Sequence, residues 1–124
     1  MDSFSLNTVM LVIVAHFVCD FILQSDKMAV NKSTSWFWLT MHVKVYSVGM
    51  MLFSVLIFGY HNLMMAWGWV WANAALHWAT DACTSRVTSY LWKKEQRHWF
   101  FVMIGFDQVI HYACLFSTLT LLSP

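Results

Sequence analysis

The chain has 124 residues, 60% hydrophobic and only 10% charged, with a formal net charge of +1. A soluble domain carries about 25% charged residues, so the composition excludes an ordinary soluble fold. It describes a single all-α, polytopic membrane domain, too small to hold a separate soluble module, and no nucleic-acid partner is expected. Eight Trp and ten Phe exceed what a soluble core of this size needs.

Four apolar segments are predicted to be transmembrane helices. The first runs over 6–23 and is apolar except for His16 and Asp20. With no basic leader and no small-residue cleavage site, it reads as a membrane helix and not as a signal peptide. His16, Asp20 and Gln24 lie four residues apart, so a polar stripe leads from the segment to its surface end. Residues 25–35 form a polar loop. The second helix covers 36–58 and holds His42, with Tyr46 one turn on and Lys44 on roughly the opposite face, near enough to the helix start to snorkel. A short turn, Gly59-Tyr60-His61-Asn62, leads to the third helix at 63–83, which opens on Trp67, Trp69 and Trp71. Residues 84–98, the most charged stretch, read as a loop, and the fourth helix covers 99–122.

Orientation follows from Lys and Arg. The loops at 25–35 and 84–98 hold Lys27, Lys32, Arg86, Lys93, Lys94 and Arg97; Lys44 is the remaining basic residue. The positive-inside rule then places both loops in the cytoplasm and both termini outside. Cys19, Cys83 and Cys114 lie in or beside apolar segments, and a disulfide framework is not expected.

Within this frame one pattern recurs. His16-x-x-x-Asp20 and His77-x-x-x-Asp81 are the same pair, and Asp107-x-x-x-His111 is its reverse. Four residues make about one helical turn, so each His and Asp share a face. A lone Asp at the centre of a spanning helix costs roughly 2.5–3.5 kcal/mol on the insertion scale. Three would cost about 8–10 kcal/mol facing lipid, so they must face each other, water or a metal. With His42, all seven residues fall at a similar depth in the cytoplasmic half, which points to one shared site.

His16, Asp20, His42, His77, Asp81, Asp107 and His111 are therefore the candidate metal ligands. Four suffice for one zinc; seven nitrogen and oxygen donors suit two divalent ions bridged by carboxylate between facing helices. Zinc is the expected metal, with iron or manganese as alternatives. Two such ions support hydrolysis at phosphorus or at a carbonyl. Other readings of the same residues are a hydrogen-bonded packing core and a proton relay. Asp26 and Asp107 are the candidate catalytic carboxylates, Asp26 at the cleft mouth as base or further ligand. Lys32, Arg86 and Gln24 are the candidates for holding a phosphate or anionic headgroup, although positive-inside charge also accounts for the two basic residues. Tyr46 and Gln108 are candidate supports for the ligands.

The ordered set Ala15-His16-x3-Asp20-Phe21-x2-Gln24-Ser25-Asp26-x-Met28-Ala29-x2-Asn31-Lys32, then His42, His77-x3-Asp81 and Asp107-Gln108-x2-His111 resembles the family of the domain of unknown function 3307, small bacterial and phage membrane proteins. The resemblance spans essentially the whole chain. It implies a four-helix membrane fold and a bacterial inner-membrane location, and supplies no activity. A looser likeness to membrane-bound metal-dependent hydrolases is analogy. The expected function is a membrane-embedded metal-dependent hydrolase of a lipid-like or phosphate-bearing substrate at the cytoplasmic leaflet. The alternatives are a metal-ion or proton transporter and a non-enzymatic phage or bacterial interaction protein. Membrane lipid is the expected partner, and the aromatic surface leaves room for a homo-oligomer.

Overall fold

Three serines set where the helices of the first half begin. Ser5 accepts a hydrogen bond from the Thr8 amide, Ser25 from Met28 and Ser35 from Trp38, each satisfying an amide that the first helical turn leaves unpaired. The structure is a computed structural model that describes residues 4–122; the termini themselves lie outside the described residues. Among those, it is all helical, with five α-helices and no strands. The helices are α1 (Leu6–Phe17), α2 (Asp26–Asn31), α3 (Trp36–Phe58), α4 (Leu63–Lys93) and α5 (Arg97–Leu122). A π-helical turn, Val18–Ile22, prolongs α1, and a short 3-10 turn, Tyr60–Asn62, joins α3 to α4. Gly59 precedes that turn with φ +79°, a conformation open to glycine.

The four long helices pack side by side. In one half, Val12, Ala15 and Cys19 meet Tyr46 and Met50 of α3, Trp69 and Val70 of α4, and Leu115 and Leu119 of α5. The Trp69 indole donates to the Leu115 carbonyl across that core (3.1 Å). The two basic connections lie together at the opposite end, where Lys32 and Ser33 share a groove with Ser89, Trp92 and Phe100. α3 and α5 are long and apolar enough to cross a membrane; Leu6–Ile22 is apolar but shorter.

Two boundaries differ from the sequence reading. Residues 25–35, read as a loop, contain α2. Residues 84–93, also read as loop, continue α4, leaving Lys94–Gln96 as the turn before α5. The stretch has no Gly or Pro to stop a helix, and one of its hydroxyls bonds its own backbone: Thr88 donates to the Ser85 carbonyl (3.0 Å). Such back-bonding lets a polar run remain helical.

The polarity of the bundle is inverted relative to a soluble protein. His16, Asp20, His42, His77, Asp81 and His111 are buried, whereas Leu52, Leu56, Met64, Phe101, Val109 and Leu121 face outward, each more than 60% exposed. Close approach of α3 to the first segment depends on Gly49. A Cβ there would lie 2.6 Å from the Cys19 sulfur and 3.0 Å from Leu23 Cδ1. Gly49→Leu is therefore expected to lower stability by about 1–3 kcal/mol through overpacking, read as a lower melting temperature in detergent. An unchanged melting temperature would contradict this packing.

Candidate metal centre

Each ligand candidate owes its direction to its helix. The π turn holds Asp20, and such turns often accompany functional sites. His16 and Asp20 do approach each other, Nε2 to Oδ2 at 3.5 Å, but the nearer partner of Asp20 is His42 on α3, Nε2 to Oδ1 at 3.0 Å. His77 and Asp81 come from one face of α4, and Asp107 and His111 from one face of α5.

Four donors converge first. His42 Nε2 and His77 Nε2 lie 3.1 Å apart. His42 Nε2 is 3.3 Å from Asp81 Oδ2, and His77 Nε2 is 3.4 Å from Asp20 Oδ1 and 3.7 Å from Asp81 Oδ2. A tetrahedral zinc with bonds near 2.0–2.1 Å places its ligand atoms about 3.3 Å apart; five of the six separations lie between 3.0 and 3.7 Å, and the sixth, between the two carboxylates, is within 4.8 Å. Asp20, His42, His77 and Asp81, all buried, can hold one ion. Asp20 with Asp107 and His111 forms a second group that can hold another. Two carboxylates lie between the groups. Asp20 belongs to both, and Asp81 turns Oδ2 towards His42 and Oδ1 towards His111 (3.0 Å). His111 Nε2 is also 3.3 Å from Asp107 Oδ2. The first group offers four protein donors and the second three, and Asp20, Asp81 and Asp107 line an adjoining cavity of about 170 Å³.

Charge agrees with the donor set. Three carboxylates meet one ammonium, Lys32, which donates to Asp81 Oδ2 at 2.8 Å. With neutral imidazoles the cluster carries two negative charges in excess, the charge that one divalent ion balances. Burial works against the charge of Lys32, but Asp81, and Asp20 beyond it, outweigh burial and hold its pKa above the usual lysine value.

The supporting bonds run through Gln108. Its amide nitrogen donates to Asp20 Oδ2 (3.2 Å) and Asp107 Oδ2 (3.1 Å), and its oxygen lies 2.9 Å from His16 Nε2. Because an amide oxygen only accepts, His16 carries its proton on Nε2, and Nδ1 accepts from the Tyr46 hydroxyl (3.2 Å). Thr84 donates to Asp107 Oδ1 (2.6 Å). The Nδ1 atoms of His42 and His77 are buried without a partner, so stacking orients His77: its ring lies 4.0 Å from that of Tyr46 and 4.2 Å from that of His111, centroid to centroid.

Six of the seven expected ligands thus meet in the two groups. His16 lies outside the two groups, with both its ring nitrogens hydrogen-bonded, to Tyr46 and to Gln108. Gln24 and Lys32 line the cavity. Asp26 is exposed in the first turn of α2 and is not among the lining residues. Arg86 also stands apart, because it donates to the Ala82 carbonyl and lies over the Trp36 ring, 4.1 Å from its centroid. Sequence reasoning passed over Thr84, Ser85 and Thr88. Their signal was present: hydroxyls at positions 84 and 88 follow His77 and Asp81 at one-turn spacing.

The family model described as "Protein of unknown function (DUF3307)" matches residues 8–123, and the chain belongs to that family. No curated protein and no solved structure matches it.

Gln108→Leu would leave two carboxylates and the His16 N–H without their partner. Metal affinity is expected to fall about 10–100-fold, measured by competition with a chromogenic chelator. Equal affinity in variant and wild type would refute the supporting role.

Proposed function

We propose that the chain is a multi-pass protein of the bacterial inner membrane, with four spans and both termini outside, and that its cytoplasmic end is a metal-dependent hydrolase of phosphate-bearing, lipid-like substrates. The observation that carries this reading is the convergence of two imidazoles and two carboxylates within 4.8 Å of one another, beside a second donor group that opens on a cavity. A catalytic ion keeps a position free of protein ligands, and the second group leaves one.

The inverted polarity supports four spans. Water would oppose the outward Leu, Met and Phe of all the long helices, whereas lipid accepts them. The gathering of both basic connections at one end supports the orientation, and puts the cavity at the cytoplasmic side. The other half of the bundle is filled by Trp69, Met50, Leu115 and their neighbours, which favours a reaction site over a passage across the membrane.

A bound divalent ion would supply Lewis acidity and a water of lowered pKa. The protein's own groups do the rest. Asp107 is the least buried carboxylate of the cluster, with its side chain 15% exposed. Thr84 and Gln108 fix its two oxygens, so it is placed to accept the proton of an attacking water. Lys32, at the cavity wall, neutralises the substrate's phosphate oxygens; as the ester P–O bond breaks, the lipid alcohol leaves with the proton that Asp107 took from the water, and inorganic phosphate is released.

The test is phosphate release from a lipid phosphomonoester by metal-loaded protein in nanodiscs. Asp107→Asn should lower turnover by about 10²-fold or more. No release by the metal-loaded wild type, or equal release by the variant, would reject the hydrolase.

A further inference from the structure

The hydroxyl of Ser85 is the group that the metal centre leaves unexplained. Ser85 is only 7% exposed, and its Oγ has no hydrogen-bond partner among the described residues. A buried hydroxyl left in this state is costly. It makes no hydrogen bond to the carboxylate cluster. Instead, Ser85 lines both the cavity beside that cluster and a second groove of about 350 Å³ that runs outward from it. Lys32 and Thr88 line both as well, so these three residues mark the junction of the two spaces. Lys32 uses one of its three donors on Asp81. Beyond the junction the groove becomes apolar, with Val30 on one side and the paired rings of Trp92 and Phe100, 5.0 Å apart, at its end.

We infer that the junction of Lys32, Ser85 and Thr88 is a subsite for a phosphomonoester, with the ester's organic group lying in the groove towards Trp92 and Phe100. The chemistry is that of an anion with several acceptor oxygens. A hydroxyl donor and an ammonium at one position match such a group and no apolar one, and the groove beyond suits a hydrocarbon chain. This names the substrate of the hydrolase proposed above and rests on that reading. It adds Ser85 as a binding residue and Trp92 as the residue that distinguishes a lipid phosphate from a soluble one.

Calorimetric titration of the full-length, zinc-loaded protein in detergent tests the inference, with inorganic phosphate and decylphosphonate, which has no ester bond to cleave, as probes. Ser85→Ala is expected to weaken both probes about tenfold, the loss of one hydrogen bond to a charged group, with zinc content and melting temperature unchanged. Trp92→Ala is expected to weaken decylphosphonate and leave inorganic phosphate as it was; if both probes bind alike with Trp92 present or absent, the ligand is a soluble phosphoester and the lipid assignment falls. Failure of the wild type to bind either probe overturns the subsite, as does binding indifferent to Ser85→Ala. Zinc retained with such indifferent binding rejects the subsite and leaves the metal centre intact. Phosphate bound through Ser85 by protein that takes up no zinc does the reverse.

Discussion

Three carboxylates enclosed by apolar helices are the constraint on which the rest of this structure depends. Asp20, Asp81 and Asp107 come from three different segments, and an Asp facing hydrocarbon is costly on any scale. The fold brings them within reach of one another, which would be repulsive without compensating positive charge. Lys32 provides one charge and His42, His77 and His111 provide nitrogen donors at 3.0–3.7 Å from carboxylate oxygens. Replacing a buried carboxylate would leave the partner groups unpaired, so the cluster is held together by mutual need. A divalent ion would satisfy the remaining charge and the facing imidazole nitrogens with one component.

The elements around the cluster follow from that requirement. Gly49 lets α3 come close enough for His42 to meet Asp20. The π turn carries Asp20 to α3 and α5. α2 is a short helix whose main consequence is to bring Lys32 back over the centre, where its ammonium reaches Asp81, 49 residues away in sequence. The extension of α4 supplies Thr84, which fixes Asp107, and the hydroxyls that lead outward from the cavity. In the other half, aromatic and aliphatic packing closes the bundle, and the contrast between the two halves gives the site a single open side.

Much of this was legible in the sequence because charge within apolar runs is rare and its spacing is informative. The four main helices follow from hydropathy, and five of the six residues that meet in the two donor groups follow from one-turn His/Asp spacing; His42, with no Asp a turn away, stands out only as a lone His in an apolar segment. His16 shows where such reasoning ends. Nothing near it in the chain separates it from His77; its role is decided by Tyr46 and Gln108, 30 and 92 residues away. Asp26 and Arg86 were assigned by nearness in sequence to the site, and helix phase turns one to solvent and the other onto Trp36. The helical state of residues 84–93 was hidden because polar composition was read as loop, when Thr84, Ser85 and Thr88 face an internal cavity and Thr88 bonds its own backbone. The π turn leaves no mark in composition at all.

The measurement that bears most directly on the central claim is the metal content of the detergent-purified protein by elemental mass spectrometry, wild type beside Asp81→Ala. Asp81 contacts His42, His111 and Lys32 at once. The account predicts one or two divalent ions per chain in the wild type and their loss in the variant. No metal in the wild type, or equal metal in both proteins, would contradict it and make the cluster a hydrogen-bonded packing core.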